Sequence, residues 1–212
     1  MIAIIDYGAG NLQSVSNAVG YIGAPYLVTS EPGEITAADA VILPGVGAFG
    51  QAMNEINARG MAEAIKEAAR SGKPFLGICV GMQLFFEESE ENPGMPGLGL
   101  LAGRVVKFRG QDSLKIPHMG WNQIEVVKKS RLLDGLPSGT YMYFVHSYCA
   151  LSGDRAEVSA TSRYGMDFDA AVEVGGLFGV QFHPEKSGTA GMSILRNFIK
   201  LSGGDEQCTR QE

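Results

Sequence analysis

Cys79 lies in Gly77-Ile78-Cys79-Val80-Gly81, where an apolar run, Phe75 to Ile78, gives way to a helical pattern. The arrangement is Gly-x-nucleophile-x-Gly. Small residues on both sides let a chain turn sharply enough to project a side chain from the carboxyl edge of a sheet. A helix beginning near Val80 sets its positive end beside the sulfur, which favours thiolate over thiol. The backbone N–H of Val80 then faces any oxyanion formed at Cys79. Taken alone, a cysteine between glycines reads more readily as a buried, inert thiol. Its companions elsewhere in the chain reverse that.

His183 follows the apolar run Leu177 to Phe182, is fixed by Pro184, and has Glu185 two residues on. A His-x-Glu after a strand can set the imidazole against a thiol while the carboxylate holds the far ring nitrogen. Pro44-Gly45-Val46-Gly47 also follows a strand pattern, and strand ends in a parallel sheet share the edge where ligands bind. Glycines there let backbone N–H groups approach a substrate carbonyl, although the same four residues alone read equally well as a turn. Gln83, four residues after Cys79, falls on the same side of a helix, where its amide could hydrogen-bond a polar amino-acid substrate. Together these residues spell thiol attack on an amide, with an imidazole base and backbone oxyanion donors.

The elements that must hold them come next. Ile2 to Asp6, Pro25 to Thr29, Ala40 to Leu43 and Phe75 to Ile78 read as strands. Asn11 to Ile22, Met61 to Arg70 and Met82 to Glu88 read as helices between them. Such alternation implies an α/β fold with a parallel sheet covered on both faces. Beyond Gly94, strand patterns dominate: Arg104 to Phe108, Gln123 to Val127, Tyr141 to Val145, Ala156 to Ala160, Ala170 to Val174 and Leu177 to Phe182. With few helices to separate them, this half should add antiparallel strands. Ser193 to Leu201 is a last amphipathic helix. One domain is expected over residues 1–201, with a polar, frayed tail over 202–212 that contains Cys208.

Composition limits the function. The 212 residues carry a net charge of −6 with no basic run, which argues against nucleic acid as a partner. No apolar stretch is long enough to span a bilayer, and the first residues lack the pattern of a signal peptide. A cytoplasmic protein is expected. The three cysteines, Cys79, Cys149 and Cys208, suggest no disulfide framework, and no Cys or His pair has zinc-like spacing.

Pro44-Gly45-Val46-Gly47, Gly77 to Gln83 and His183-Pro184-Glu185-Lys186-Ser187, in that order, resemble the class I, or triad, glutamine amidotransferases. Within that family the resemblance is nearest to glutaminase subunits that serve histidine biosynthesis. It rests on Asp6 to Asn11, on Pro117-His118-Met119-Gly120-Trp121-Asn122 and on Tyr141 to Tyr148. Val80 departs slightly from the family, where a Leu is more usual.

The resemblance implies a three-layer, flavodoxin-like fold and a γ-glutamyl thioester on Cys79, with His183 as acid–base and Glu185 orienting it. It implies an oxyanion hole from Val46, Gly47 and Val80, and a glutamine site from Gly45, Gly47, Gln83, Ser147 and Tyr148. It implies a heterodimer with a (β/α)8-barrel cyclase that receives the ammonia, Asn11, Trp121 and Tyr143 lying at that interface, and no cofactor or metal. Family members are slow alone, and a peptide flip at Val46 is the expected switch. His118 and His146 read as structural or substrate-adjacent. Two other readings stay open: an amidotransferase feeding a different synthase, and a non-catalytic flavodoxin-like module with a chance elbow.

Overall fold

The opening run Ile2–Ile5 is wholly buried and forms β1. The computed structural model of the chain describes residues 1–8, 11–109 and 114–203. Ala9 and Gly10 of the first motif, and Cys208 in the tail, lie outside the described residues. In chain order there follow α1 (Leu12–Ile22), β2 (Tyr26–Thr29), α2 (Pro32–Ala37), β3 (Ala40–Gly45), α3 (Phe49–Ala58) and α4 (Ala62–Arg70). Next come β4 (Phe75–Cys79), α5 (Val80–Gln83), β5 (Glu88–Ser89), β6 (Gly103–Lys107), β7 (His118–Val126), β8 (Thr140–His146) and β9 (Tyr148–Ser152). The chain closes with β10 (Val158–Tyr164), β11 (Met166–Val174), β12 (Leu177–Val180) and α6 (Gly188–Leu201).

Nine strands form one sheet in the order β2-β1-β3-β4-β12-β11-β10-β7-β8. Pairing is parallel from β2 through β12 and antiparallel from β12 to β8. The parallel strands β1, β3, β4 and β12 are buried along their whole length. Both of their faces are therefore covered, and their sequences read as continuous apolar runs. Right-handed crossovers put α1 and α6, which touch, on one face, and α2 with α4 on the other. A small second sheet has the order β5-β6-β9 and packs through β9 against β11. No described helix is long and apolar enough to cross a membrane.

Several elements differ from the expectation. The helix expected over Met82 to Glu88 is the four-residue α5, which ends at Gln83. The carbonyls of Leu84, Phe85 and Phe86 accept instead from Leu98, Leu100, Leu101 and Gly99, so an incoming loop replaces the helical partners. Helices α2 and α3 were not expected, nor was β9. β7 begins five residues earlier than the Gln123 start expected, and α6 begins at Gly188 rather than Ser193.

Candidate active site

β4 delivers Cys79 to the carboxyl edge of the sheet. Among the described residues Cys79 is the sole non-glycine with positive φ, at 55° with ψ −112°. Such a conformation costs on the order of 1–3 kcal/mol and persists only where packing enforces it. Its neighbours show how. A Cβ on Gly81 would sit 1.9 Å from the Leu43 carbonyl oxygen, and one on Gly77 would meet Phe85 at 2.4 Å and Gly81 at 2.8 Å. The two glycines let strand, elbow and helix interlock with β3. With α5 so short, the helix macrodipole at the sulfur is slight, which corrects the sequence expectation. What remains are the N–H groups of the first helical turn, beginning with Val80.

Strand register assembles the rest. Gly45 of β3 is the direct partner of Cys79, so Val46 and Gly47 continue past the sulfur. Val180 of β12 pairs with Ile78, so the chain beyond β12 brings His183 to the same edge. The His183 turn is latched to β8: His183 N donates to Tyr143 O at 2.9 Å, and Tyr143 N donates to Ser187 Oγ at 3.0 Å. Ser187 Oγ then donates to His183 O at 2.6 Å.

His183 Nδ1 is 2.8 Å from Glu185 Oε1, and both side chains are buried. Burial alone pulls the His183 pKa down. The Cys79 sulfur, and then Glu185, outweigh it and raise the pKa to about 10. His183 therefore carries its proton at neutral pH. Three buried side-chain atoms among the described residues have no hydrogen-bond partner, and all border this site: His183 Nε2, Glu185 Oε2 and Tyr7 Oη. Tyr7 Oη lies behind the elbow, 2.8 Å from where a Gly45 Cβ would stand. Its pKa is raised, first by burial and then by the Cys79 charge. Orphaned buried polar atoms are rare enough that three beside one cysteine mark a functional site.

The sulfur opens into a cavity of about 240 Å³. Its wall includes Val46, Gly47, Val80, Gln83, Ser147, Tyr148 and His183, each expected from the sequence. Gly45 is not on the wall: it is buried beneath, its Cα packed so closely that a Cβ would lie 2.6 Å from Gly81 N. The wall also includes Glu91 and His146. Glu91 was missed because its place depends on α3: Glu91 Oε2 accepts from Phe49 N at 2.7 Å, and Asn92 Oδ1 accepts from Gly50 N at 2.8 Å. These two side chains cap the start of α3, where negative charge is favoured.

His146 and His118 are cross-strand partners, and their rings share a hydrogen bond of 3.0 Å. The tautomers follow from the ends of the chain. His146 Nδ1 faces the Tyr148 carbonyl at 2.8 Å and must donate, so its Nε2 accepts from His118 Nδ1. His118 Nε2 then accepts from Asn122 Nδ2 at 3.3 Å. Burial lowers both histidines, His118 to about 4. His146 goes to about 3, with the Tyr148 hydrogen bond opposing and the other histidines adding to the fall. Both are neutral at pH 7 and brace the pocket wall.

Asn11, Trp121 and Tyr143 lie off the cavity wall. Trp121 is 55% exposed, so it is not part of the core. Its ring meets that of Tyr143 edge-on at 6.1 Å.

A family model described as glutamine amidotransferase class-I matches residues 3–201. The chain is 50% identical over 208 residues to the imidazole glycerol phosphate synthase subunit HisH of Geobacillus kaustophilus, covering 96% of this chain and 98% of that one. It is also 50% identical over 201 residues to the HisH subunit of Methanothermobacter thermautotrophicus, covering 95% and 98%. A solved glutamine amidotransferase matches the structure with a TM-score of 0.72 at 20% identity, over 96% of this chain and 100% of that one. The structure of PurLQS from Thermotoga maritima matches with a TM-score of 0.70, also at 20% identity, over 94% and 97%. At that identity the structural likeness speaks for the fold alone.

Proposed function

The chain belongs to the class I glutamine amidotransferases, and from that premise we propose how its site works. It acts as the glutaminase subunit of imidazole glycerol phosphate synthase in histidine biosynthesis, a reading supported by relatives half identical over nearly their full length that are named imidazole glycerol phosphate synthase subunit HisH. One observation carries the site assignment: a cysteine held at positive φ shares a cavity with a buried His–Glu pair.

In this reading Cys79 sulfur attacks the side-chain carboxamide carbon of glutamine. The carbonyl electrons move onto oxygen, which N–H groups of Val80 and of Val46 or Gly47 receive. Collapse of that intermediate breaks the C–N bond, and His183 supplies the proton with which ammonia leaves. A γ-glutamyl thioester remains. His183, now neutral, takes a proton from water as the water attacks the thioester, and glutamate departs as sulfur is released. Glu185 keeps Nδ1 protonated and Nε2 aimed at the reacting atoms. Gln83, Ser147 and Tyr148 hold the amino-acid end of glutamine, with Glu91 supplying the negative charge that an α-ammonium seeks.

The ammonia goes to a cyclase partner. We assign that partner a (β/α)8-barrel, bound as a heterodimer in the cytoplasm. One face of the β7–β8 hairpin favours the docking position. Trp121 stands opposite Tyr143, Met119 opposite Val145, and Gln123 opposite Tyr141. Met119, Trp121 and Tyr141 are exposed, and Val145 also lines the cavity. Exposed aromatic side chains beside a cavity mouth suit an interface. Asn11 belongs to the same interface in this reading. Residues 1–201 act as one catalytic domain, and a flip of the Val46 peptide completes the oxyanion hole when the cyclase is liganded.

Glutaminase assays with and without the cyclase test the site. Cys79→Ala should leave no measurable activity in either condition, while wild type is stimulated by the partner. Activity retained in Cys79→Ala would remove the mechanism.

A further inference from the structure

Gln181 has no part in the chemistry above, yet it touches the sulfur. It follows the last residue of β12, two positions before His183, and is wholly buried. Its backbone N donates to Ala170 O at 2.9 Å, which fixes the main chain. Its side-chain Nε2 lies 3.6 Å from Cys79 Sγ, a usual N–H···S separation.

Which end of that amide faces the sulfur is settled from a backbone group. Tyr148 O is a carbonyl and can only accept, so the Gln83 atom 2.9 Å from it is the NH2 group. The same Gln83 Nε2 lies 3.0 Å from the Gln181 side chain, which must answer with its oxygen. The remaining end of Gln181, turned to Cys79, is therefore its NH2. A chain of amides runs from the substrate wall to the nucleophile: Gln83 donates to Tyr148 O and to Gln181, and Gln181 donates to sulfur. Both Gln83 protons are taken, which leaves its oxygen for the substrate.

We propose that Gln181 is a further catalytic residue, whose side-chain NH2 donates to Cys79 sulfur and stabilises it as the thiolate. The proposal rests on Cys79 being the nucleophile. A hydrogen bond to the charged form of a group favours that form, and donors to ionised acceptors give the stronger bonds. The arrangement matters most in the second half of the reaction. His183 is neutral only until it takes the proton of the attacking water, and it is charged again as sulfur leaves. Sulfur must leave the thioester as an anion, and Gln181 donates to it throughout, whatever the protonation state of His183. A neutral amide serves at both steps because it takes no part in proton transfer.

The test follows alkylation of Cys79 by iodoacetamide across pH, read by mass spectrometry on the full chain. Gln181→Met keeps the volume and removes both polar atoms. The alkylation rate near neutral pH should fall about tenfold, and the difference should close in alkali, where the sulfur ionises unaided. An unchanged rate overturns the proposal, as does a loss equal at every pH, which is steric. Gln181→Glu keeps the oxygen to which Gln83 donates. It also sets a carboxylate oxygen against the sulfur in place of the NH2, so the proposal requires a loss at least as large as in Gln181→Met, and a rate like wild type overturns it. Should both variants misfold, the wild-type chain answers by NMR. The Gln181 NH2 resonance should move with pH in step with Cys79 alkylation, and a resonance indifferent to it overturns the proposal. Glutaminase that vanishes in Cys79→Ala, beside alkylation indifferent to Gln181, leaves the nucleophile standing and removes this role. Activity surviving in Cys79→Ala removes both.

Discussion

The two backbone segments that meet at the cavity are held in opposite ways. The elbow at Cys79 is interlocked: Gly77 and Gly81 have no room for a methyl group, and the strained residue between them is 3% exposed. The segment after β3 starts equally tight, since Gly45 abuts Gly81 N, Val80 and Tyr7. Two residues later it is free. Gly47 is exposed, has φ +88°, and would place a Cβ with nothing within 4 Å. The nucleophile and the Val80 N–H beside it are thus fixed by sterics, while the donors that face them from Val46 and Gly47 are not. In the proposed mechanism the Val46–Gly47 donors are the part that can move, because moving them needs no repacking of the core.

The largest effect expected from breaking this contrast is at Gly81. Gly81→Ala puts a methyl group 1.9 Å from the Leu43 carbonyl, backbone against backbone, so β3 or the elbow must shift. Stability should drop by about 3 kcal/mol or more in urea unfolding, and glutaminase activity should vanish with the elbow geometry. Retained activity would mean that the elbow is not the rigid partner.

Glu185→Gln comes next. It keeps the shape of the His183 contact and removes the charge, so kcat should fall about a thousandfold. Stability against pH sharpens the point. The folded pKa of His183, about 10, lies above its ordinary 6.5. The folded state therefore holds this proton more tightly than the unfolded chain does. That stabilisation is full below about 6.5 and is lost as pH rises through about 10. Because Glu185 is one cause of the rise, urea midpoints measured from pH 6 to pH 10 should fall less steeply in Glu185→Gln than in wild type.

What could be seen in the sequence follows the same divide between local and distant causes. Cys79, His183 and Glu185 were legible because each sits at a strand end marked by an apolar run and a Gly or Pro. Gln83 was legible from helical spacing, which one turn of helix is enough to satisfy. The extent of α5 was not legible. Phe85 and Phe86 continue an apolar pattern, yet their carbonyls bond to residues about fifteen positions on. Helix α3 was hidden for a similar reason: its first N–H groups are capped by Glu91 and Asn92, each 42 residues away. Gln181 could not be read at all. Its contact with Cys79 spans 102 residues and depends on β12 lying beside β4 in one particular register.

The smallest effect is the one that tests the free segment itself. Gly47→Ala meets no neighbour, so the direct penalty is the strain of holding alanine at φ +88°, about 1 kcal/mol. If that segment only has to sit still, activity should track this modest loss and be the same with and without the cyclase. If it must turn at Val46 to complete the oxyanion hole, alanine narrows the paths open to the peptide and should act chiefly on the stimulated state. The expected result is a melting temperature lowered by a few degrees, unstimulated glutaminase within about twofold of wild type, and cyclase-stimulated glutaminase down about tenfold. Equal losses in the two states would place both segments in the same rigid class, and the switch would have to be sought elsewhere than at Val46.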